Sequence, residues 1–168
     1  MLRSVVEVVI IVAAAFVLAL LIQQFVVKPY VIPSESMEFT LQRGDRVLAN
    51  RFIYRFRDPQ RGDVVVFVPP MESNEPFIKR VVAIGGDRVA VKDGRLYLNG
   101  EPQVEPYVRD ENILGDFRET TVREGAYFVM GDNRNNSGDS RVFGVIDKNA
   151  ILGQAFFVYW PLSRVGGI

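Results

Sequence analysis

The chain contains no cysteine and no histidine among its 168 residues. Without cysteine there is no disulfide and no thiol nucleophile. Zinc sites built on thiolate or imidazole are excluded, and so is a Ser-His-Asp triad. A serine nucleophile here would need lysine, aspartate, glutamate or tyrosine as its base. An excess of either charge is also missing: Lys+Arg and Asp+Glu are both 20. No polyanionic partner is implied, and no basic run of the kind that grips nucleic acid is present. Internal repeats, low-complexity tracts and a second domain boundary are absent as well.

What is present begins with a long apolar segment, Val5 to Val27, interrupted only by Glu7 and Gln23-Gln24. Val8 to Val27 supplies about the 20 residues that a spanning helix needs. Glu7 lies near one end, where an ionised group reaches the interface cheaply. A removable signal peptide has a shorter apolar core, and a buried core helix would have to be hydrophobic nearly all round. The expectation is a retained membrane anchor over residues 1–28, with the span at about 5–27, followed by a domain over 29–168. Arg3 on one side and Lys28, Arg43 and Arg46 on the other leave the orientation unset.

After Leu41 the chain reads as β. Arg43-Gly44-Asp45 and Arg61-Gly62-Asp63 are turns, each just before an apolar strand, Arg46 to Ala49 and Val64 to Val68. Phe77 to Ile84 is another strand. Val89 to Lys92, Asp93-Gly94, Arg95 to Leu98 and Asn99-Gly100 form a meander with two strong hairpin signals. Glu101 to Thr121 is less regular and, with the meander, is expected to form a small hairpin excursion at about 87–121. Ala126 to Met130 leads into the polar loop Gly131 to Arg141, and Gly144 to Ile146 and Ile151 to Tyr159 close the sheet. The fold class expected is mainly β, an antiparallel sheet, since no alternating helices are available to cover a parallel one.

Two features carry chemistry. In Val31-Ile32-Pro33-Ser34-Glu35-Ser36-Met37, the two serines lie two apart, so an extended backbone puts them on one face. Pro33 cannot donate to a ladder, which makes this an edge or a turn. The stretch is either a polar loop or a rim that holds a nucleophilic hydroxyl. In the strand Phe77 to Ile84, Phe77, Lys79 and Val81 share one face, and Ile78, Arg80 and Val82 the other. If the Phe77 face is the core side, burial disfavours the charged form of Lys79 and pulls its pKa down, making it a competent base for a serine hydroxyl. The other reading is a snorkelling edge lysine. The loop Gly131 to Arg141 offers Asp132, Asp139, Arg134 and Arg141 for ion pairing; no spacing in it resembles a metal loop.

These residues resemble the type I signal peptidases, in their short single-span bacterial form. Ile32 to Met37 with Thr40-Leu41 is similar to the family's nucleophile box. Arg61 to Phe67 and Phe77 to Val82, ending in Gly86-Asp87, are similar to its strand and lysine boxes. Gly131 to Arg134 with Asn136 to Arg141 and Gly144 is similar to its C-terminal box. The resemblance implies Ser36 as nucleophile, Lys79 as general base and Ser34 as an oxyanion hydroxyl beside the Ser36 N–H. It implies Ser137 as a residue orienting the lysine, with Asp139–Arg141 and Arg80–Asp132 as supporting ion pairs. Ile32, Met37, Leu41, Val47 and Ile78 would line small substrate pockets. The implied reaction is cleavage of signal peptides from exported preproteins after small residues, at the bacterial cell membrane on its extracytoplasmic side, against lipid and without metal or organic cofactor. Three positions depart from the family pattern. Phe39 stands where proline is usual, Asn135 where aspartate is common, and Ala83-Ile84-Gly85 where Gly-Leu-Pro is common. A membrane-tethered, non-catalytic β domain that binds a partner, or an inactive relative, is the alternative.

Overall fold

A computed structural model of the chain describes residues 2–73, 75–109 and 112–168, with side chains at 2–4 and 21–25 left aside. Helix α1 (Leu2–Phe25) opens the chain. Its described side chains, from Val5 to Leu20, are all exposed. Among the described residues, no helix is long and apolar enough to cross a membrane; of the span expected at about 5–27, the described helix side chains are those of Val5 to Leu20. The helix also ends before Val27, which belongs instead to strand β1 (Val27–Val31). Pro29 sits within that strand because β1 is at a sheet edge, where a missing N–H costs no ladder bond.

The body is mainly antiparallel β. The first sheet contains β1, β2 (Arg46–Asn50), β3 (Val64–Phe67), β4 (Phe77–Ile84), β9 (Ala126–Met130), β10 (Ile146–Asp147), β11 (Ile151–Trp160) and β12 (Gly166–Gly167). Its order is β1-β2-β11-β3-β4-β9-β10, with β12 on β11. The second sheet draws on the excursion: β5 (Arg88–Lys92), β6 (Arg95–Leu98), β7 (Glu101–Pro102) and β8 (Phe117–Thr121), in the order β7-β6-β5-β8. Strand β8 falls in the stretch that reads as irregular. Its residues, Phe-Arg-Glu-Thr-Thr, are mostly exposed, so no apolar alternation marks them. The Arg-Gly-Asp triplets are turns: Gly44 and Gly62 have φ of +91° and +92°, a conformation open to glycine. Asp45 and Asp63 accept from the backbone N–H of Gln42 and Gln60.

Three apolar clusters hold the fold, one of them between the two sheets. The alternation along β3 divides its residues: Val64 and Val66 join Ile32, Met37, Leu41 and Ile78, while Val65 and Phe67 join Val81, Val129 and Ile146. Each such fully buried side chain contributes roughly 1.5–3 kcal/mol. Both faces of β4 are therefore core, where the period-two reading asked which one was. Strand β9 pairs with β4 only from Arg80 onward, so the Phe77–Lys79 end of β4 runs past its neighbour on that side while still pairing with β3.

Candidate active site

That protruding end of β4 is where the chemistry gathers. Ser36 lies in a tight turn just beyond β1. The turn is anchored by the N–H of Ile32 donating to Asp45 O (2.9 Å) and the N–H of Leu41 donating to Met37 O (2.7 Å). Met37 and Leu41 are fully buried, so the turn is pinned by apolar packing directly after the serine. Across from it, Lys79 Nζ lies 2.5 Å from Ser36 Oγ. Lys79 is only 4% exposed. Burial pulls its pKa down to about 8 from the ordinary 10.5, although the carboxylates of Asp139 and Asp132 oppose the fall. Ser34 Oγ is 3.2 Å from Ser36 Oγ.

The loop between β9 and helix α2 (Ser140–Phe143) closes the back of the site. The N–H of Asn133 donates to Ser36 O (3.1 Å), and its side-chain amide donates to Glu35 O (3.2 Å). Gly131 is there for close approach: a Cβ would come within 2.3 Å of both Ser36 O and Ser137 Oγ. Asp139 accepts from Arg141 Nε and Nη2, each at 2.8 Å, and from the N–H of Gly131 at 3.1 Å. Arg80 donates to Asp132 through Nε (2.9 Å) and Nη2 (2.7 Å) and to Gly62 O (2.8 Å). Thr40 Oγ1 donates to the same Asp132 at 2.5 Å, which ties the Ser36 turn to that ion pair.

A groove of about 450 Å³ opens at Ser36 and Lys79. Of the five pocket residues expected, Ile32, Met37 and Ile78 line it. Leu41 and Val47 do not: both are 0% exposed and pack behind it in the core. Ser137 is placed beside Gly131, but its Oγ is buried with no hydrogen-bond partner among the described residues, so no bond joins it to Lys79. The sequence assigns Thr40 no role of its own, and Asn133 none beyond that of a hydrogen-bonding group in its loop. Both lie inside the quoted motifs, yet only the approach of two distant segments makes them partners.

The three departures have local explanations. Phe39 has φ +86°, which a proline ring cannot adopt, so the turn here takes a different course from one with proline. Asn135 both accepts from the N–H of Leu114 (2.8 Å) and donates to Asn112 O (3.0 Å), and an aspartate could not do the second. A Cβ at Gly85 would meet Glu124 Cα and its carboxylate at 3.0 Å, so the position is a close packing contact.

A serine hydroxyl against a buried lysine, at the head of an apolar groove in an antiparallel sheet, places the chain among the β-sheet serine peptidases that have no histidine. The family described as "Signal peptidase, peptidase S26" matches residues 5–160, and the chain belongs to that family. It is 43% identical over 159 residues to "Probable signal peptidase I-1" of Synechocystis sp. (strain ATCC 27184 / PCC 6803 / Kazusa), covering 90% of this chain and 81% of that protein. It is 37% identical to "Signal peptidase IB" of Staphylococcus aureus (strain COL), covering 96% of this chain and 93% of that protein. Among solved structures, a signal peptidase I from Enterococcus faecalis V583 aligns with a TM-score of 0.51 at 35% identity, covering 57% of this chain and 95% of that one.

Proposed function

We propose that this serine endopeptidase removes signal peptides from preproteins by a serine–lysine mechanism, with α1 as its membrane anchor. The observation that carries the mechanism is the 2.5 Å approach of Lys79 Nζ to Ser36 Oγ inside the protein, in a chain without histidine. With Lys79 neutral, the Oγ–H donates into the Nζ lone pair. As Oγ attacks the scissile carbonyl, the C–O bond forms and the proton passes to Nζ. The resulting oxyanion is held by Ser34 Oγ and the N–H of Ser36. Lys79 then protonates the leaving amine as the C–N bond breaks, which leaves an acyl-enzyme. The Lys79 amine, neutral again, takes a proton from water, whose oxygen attacks the ester, and returns it to Ser36 Oγ as the peptide acid leaves.

Ile32, Met37 and Ile78 make the groove wall apolar and select small side chains before the cut, as in Ala-x-Ala. The anchor reading rests on the 24-residue length of α1, about 36 Å at 1.5 Å per residue, and on the apolar run from Val5 to Val27. Such an anchor holds the groove at the extracytoplasmic surface of the bacterial membrane, where a signal peptide emerges from lipid. Ser36→Ala and Lys79→Met in the full chain should each reduce turnover of a preprotein by at least about a thousandfold. Ser34→Ala should lower kcat by about a hundredfold. Turnover retained by Ser36→Ala or Lys79→Met would overturn the mechanism, and equal loss in all three would assign Ser34 a larger part than an oxyanion donor.

A further inference from the structure

The excursion of the small sheet sends one segment back over the catalytic loop. From it, Glu105 forms a two-pronged ion pair with Arg134, at 2.5 Å to Nη1 and 2.7 Å to Nη2. The Arg134 side chain is 0% exposed. Its remaining Nε–H donates to Gly131 O at 3.0 Å, the residue packed against Ser36 O. Two residues on, the Tyr107 ring covers Arg80, with the guanidinium carbon 4.0 Å from the ring centroid. The Tyr107 hydroxyl donates to Glu105 Oε1 at 2.9 Å. Two residues further, the Arg109 guanidinium lies 5.1 Å from the Phe39 ring, capping the left-handed residue of the nucleophile turn. Glu105, Tyr107 and Arg109 thus reach three points that surround Ser36 and Lys79, and touch neither.

We propose that Glu105, Tyr107 and Arg109 form a clamp, carried by the small sheet, that holds Arg80, Arg134 and the Phe39 turn so that Ser36 and Lys79 stay in reacting register. It rests on the serine–lysine reading. Tyr107 is its main positioning residue: the ring excludes water from Arg80, and Arg80 in turn neutralises Asp132. The charged groups about Lys79 are Asp132 and Asp139 from the loop, each paired to an arginine, with Arg134 beside Asp132 and with Glu35 and Glu75 at the groove rim. Loosening Arg80 leaves Asp132 less neutralised, which favours protonated Lys79. Removing the Glu105 charge leaves Arg134 unbalanced beside Asp132, which disfavours it.

The test uses the full chain in detergent micelles with a peptide carrying Ala-x-Ala before the cut. Tyr107→Leu should lower kcat about tenfold with KM within about twofold, and move the ascending limb of the kcat/KM–pH profile upward. Tyr107→Phe, which keeps the ring over Arg80, should restore both. Glu105→Gln should move the same limb downward. A normal rate in Tyr107→Leu, or a lower rate with an unmoved limb, overturns the clamp. If Tyr107→Leu does not accumulate as folded protein, Glu105→Gln decides: a downward limb supports the clamp and an unmoved one overturns it. Ser36→Ala and Lys79→Met run alongside. Their inactivity beside an unaffected Tyr107→Leu rejects the clamp alone, whereas turnover by either rejects the serine–lysine reading and the clamp with it.

Discussion

Lys79 is buried for a reason that its own strand supplies: Phe77 and Val81, its neighbours on the same face, belong to a packed cluster. Water is kept from the amine, so its charged form is disfavoured and its pKa falls to about 8. The sign of the pH dependence follows. If Lys79 is the base, it is protonated below about pH 8 and the rate should fall close to tenfold per pH unit; above it the rate should level off, as read from the kcat/KM profile. For stability, the folded value lies below the ordinary 10.5, so between about pH 8 and 10.5 the unfolded chain binds more protons. Lys79 should therefore add stability as pH rises through that window, against the opposite trend of Tyr54 and Tyr107, whose pKa values burial raises; Lys79→Met should lower the gain from pH 8 to pH 10 relative to the unaltered chain in denaturant titrations. Ser137 makes the opposite kind of case. Its buried hydroxyl has no partner among the described residues, so Ser137→Ala should raise unfolding free energy by about 1 kcal/mol. If Ser137 orients Lys79 during turnover, the same variant should lower kcat, a gain in stability accompanied by a loss of rate.

At the scale of elements, the loop from Gly131 to Asp139 is held from both ends. Asp139 caps α2 through the N–H of Arg141 and also receives the N–H of Gly131, so one carboxylate joins the end of β9 to the start of the helix. Its side chain is 0% exposed and the Arg141 side chain 15%. Asp139→Ala leaves that arginine without its carboxylate, and should destabilise the protein by roughly 3–5 kcal/mol in denaturant melts. Asp139→Asn, which keeps the hydrogen-bond acceptor, should cost less. Much of this loop was legible as a dense polar set following an apolar strand. The resemblance also implied its Arg80–Asp132 and Asp139–Arg141 pairs, and both are present; the bond from Thr40 to Asp132 was not legible, because it joins residues 92 apart. Strand β8 was missed since its exposed residues follow no alternation, and β1 because Val27 continues the apolar run of α1 without a break.

For the molecule as a whole, one apolar helix precedes a β body whose groove opens near the chain's entry into the sheet. If α1 is the anchor, then Val12→Lys with Phe16→Lys should release the protein from the membrane fraction. Each charge at mid-span opposes insertion by about 2.5–3.5 kcal/mol. Carbonate extraction measures this, and cleavage of a soluble peptide in micelles should persist because neither residue lies near the groove. Two determinations came from sequence alone. Chemistry without cysteine or histidine left lysine, aspartate, glutamate or tyrosine as the base for a serine nucleophile, and the family resemblance pointed to Ser36 and Lys79 among them. Local spacing also predicted most strands and turns, since alternation and glycine conformation are short-range properties. Only tertiary structure decided that Leu41 and Val47 are core and not groove, that Ser137 Oγ has no partner among the described residues, that Phe39 turns left-handed, and that Glu105 pairs with Arg134 while Tyr107 covers Arg80. Each of those depends on how segments tens of residues apart are packed together, and burial is a property of that packing.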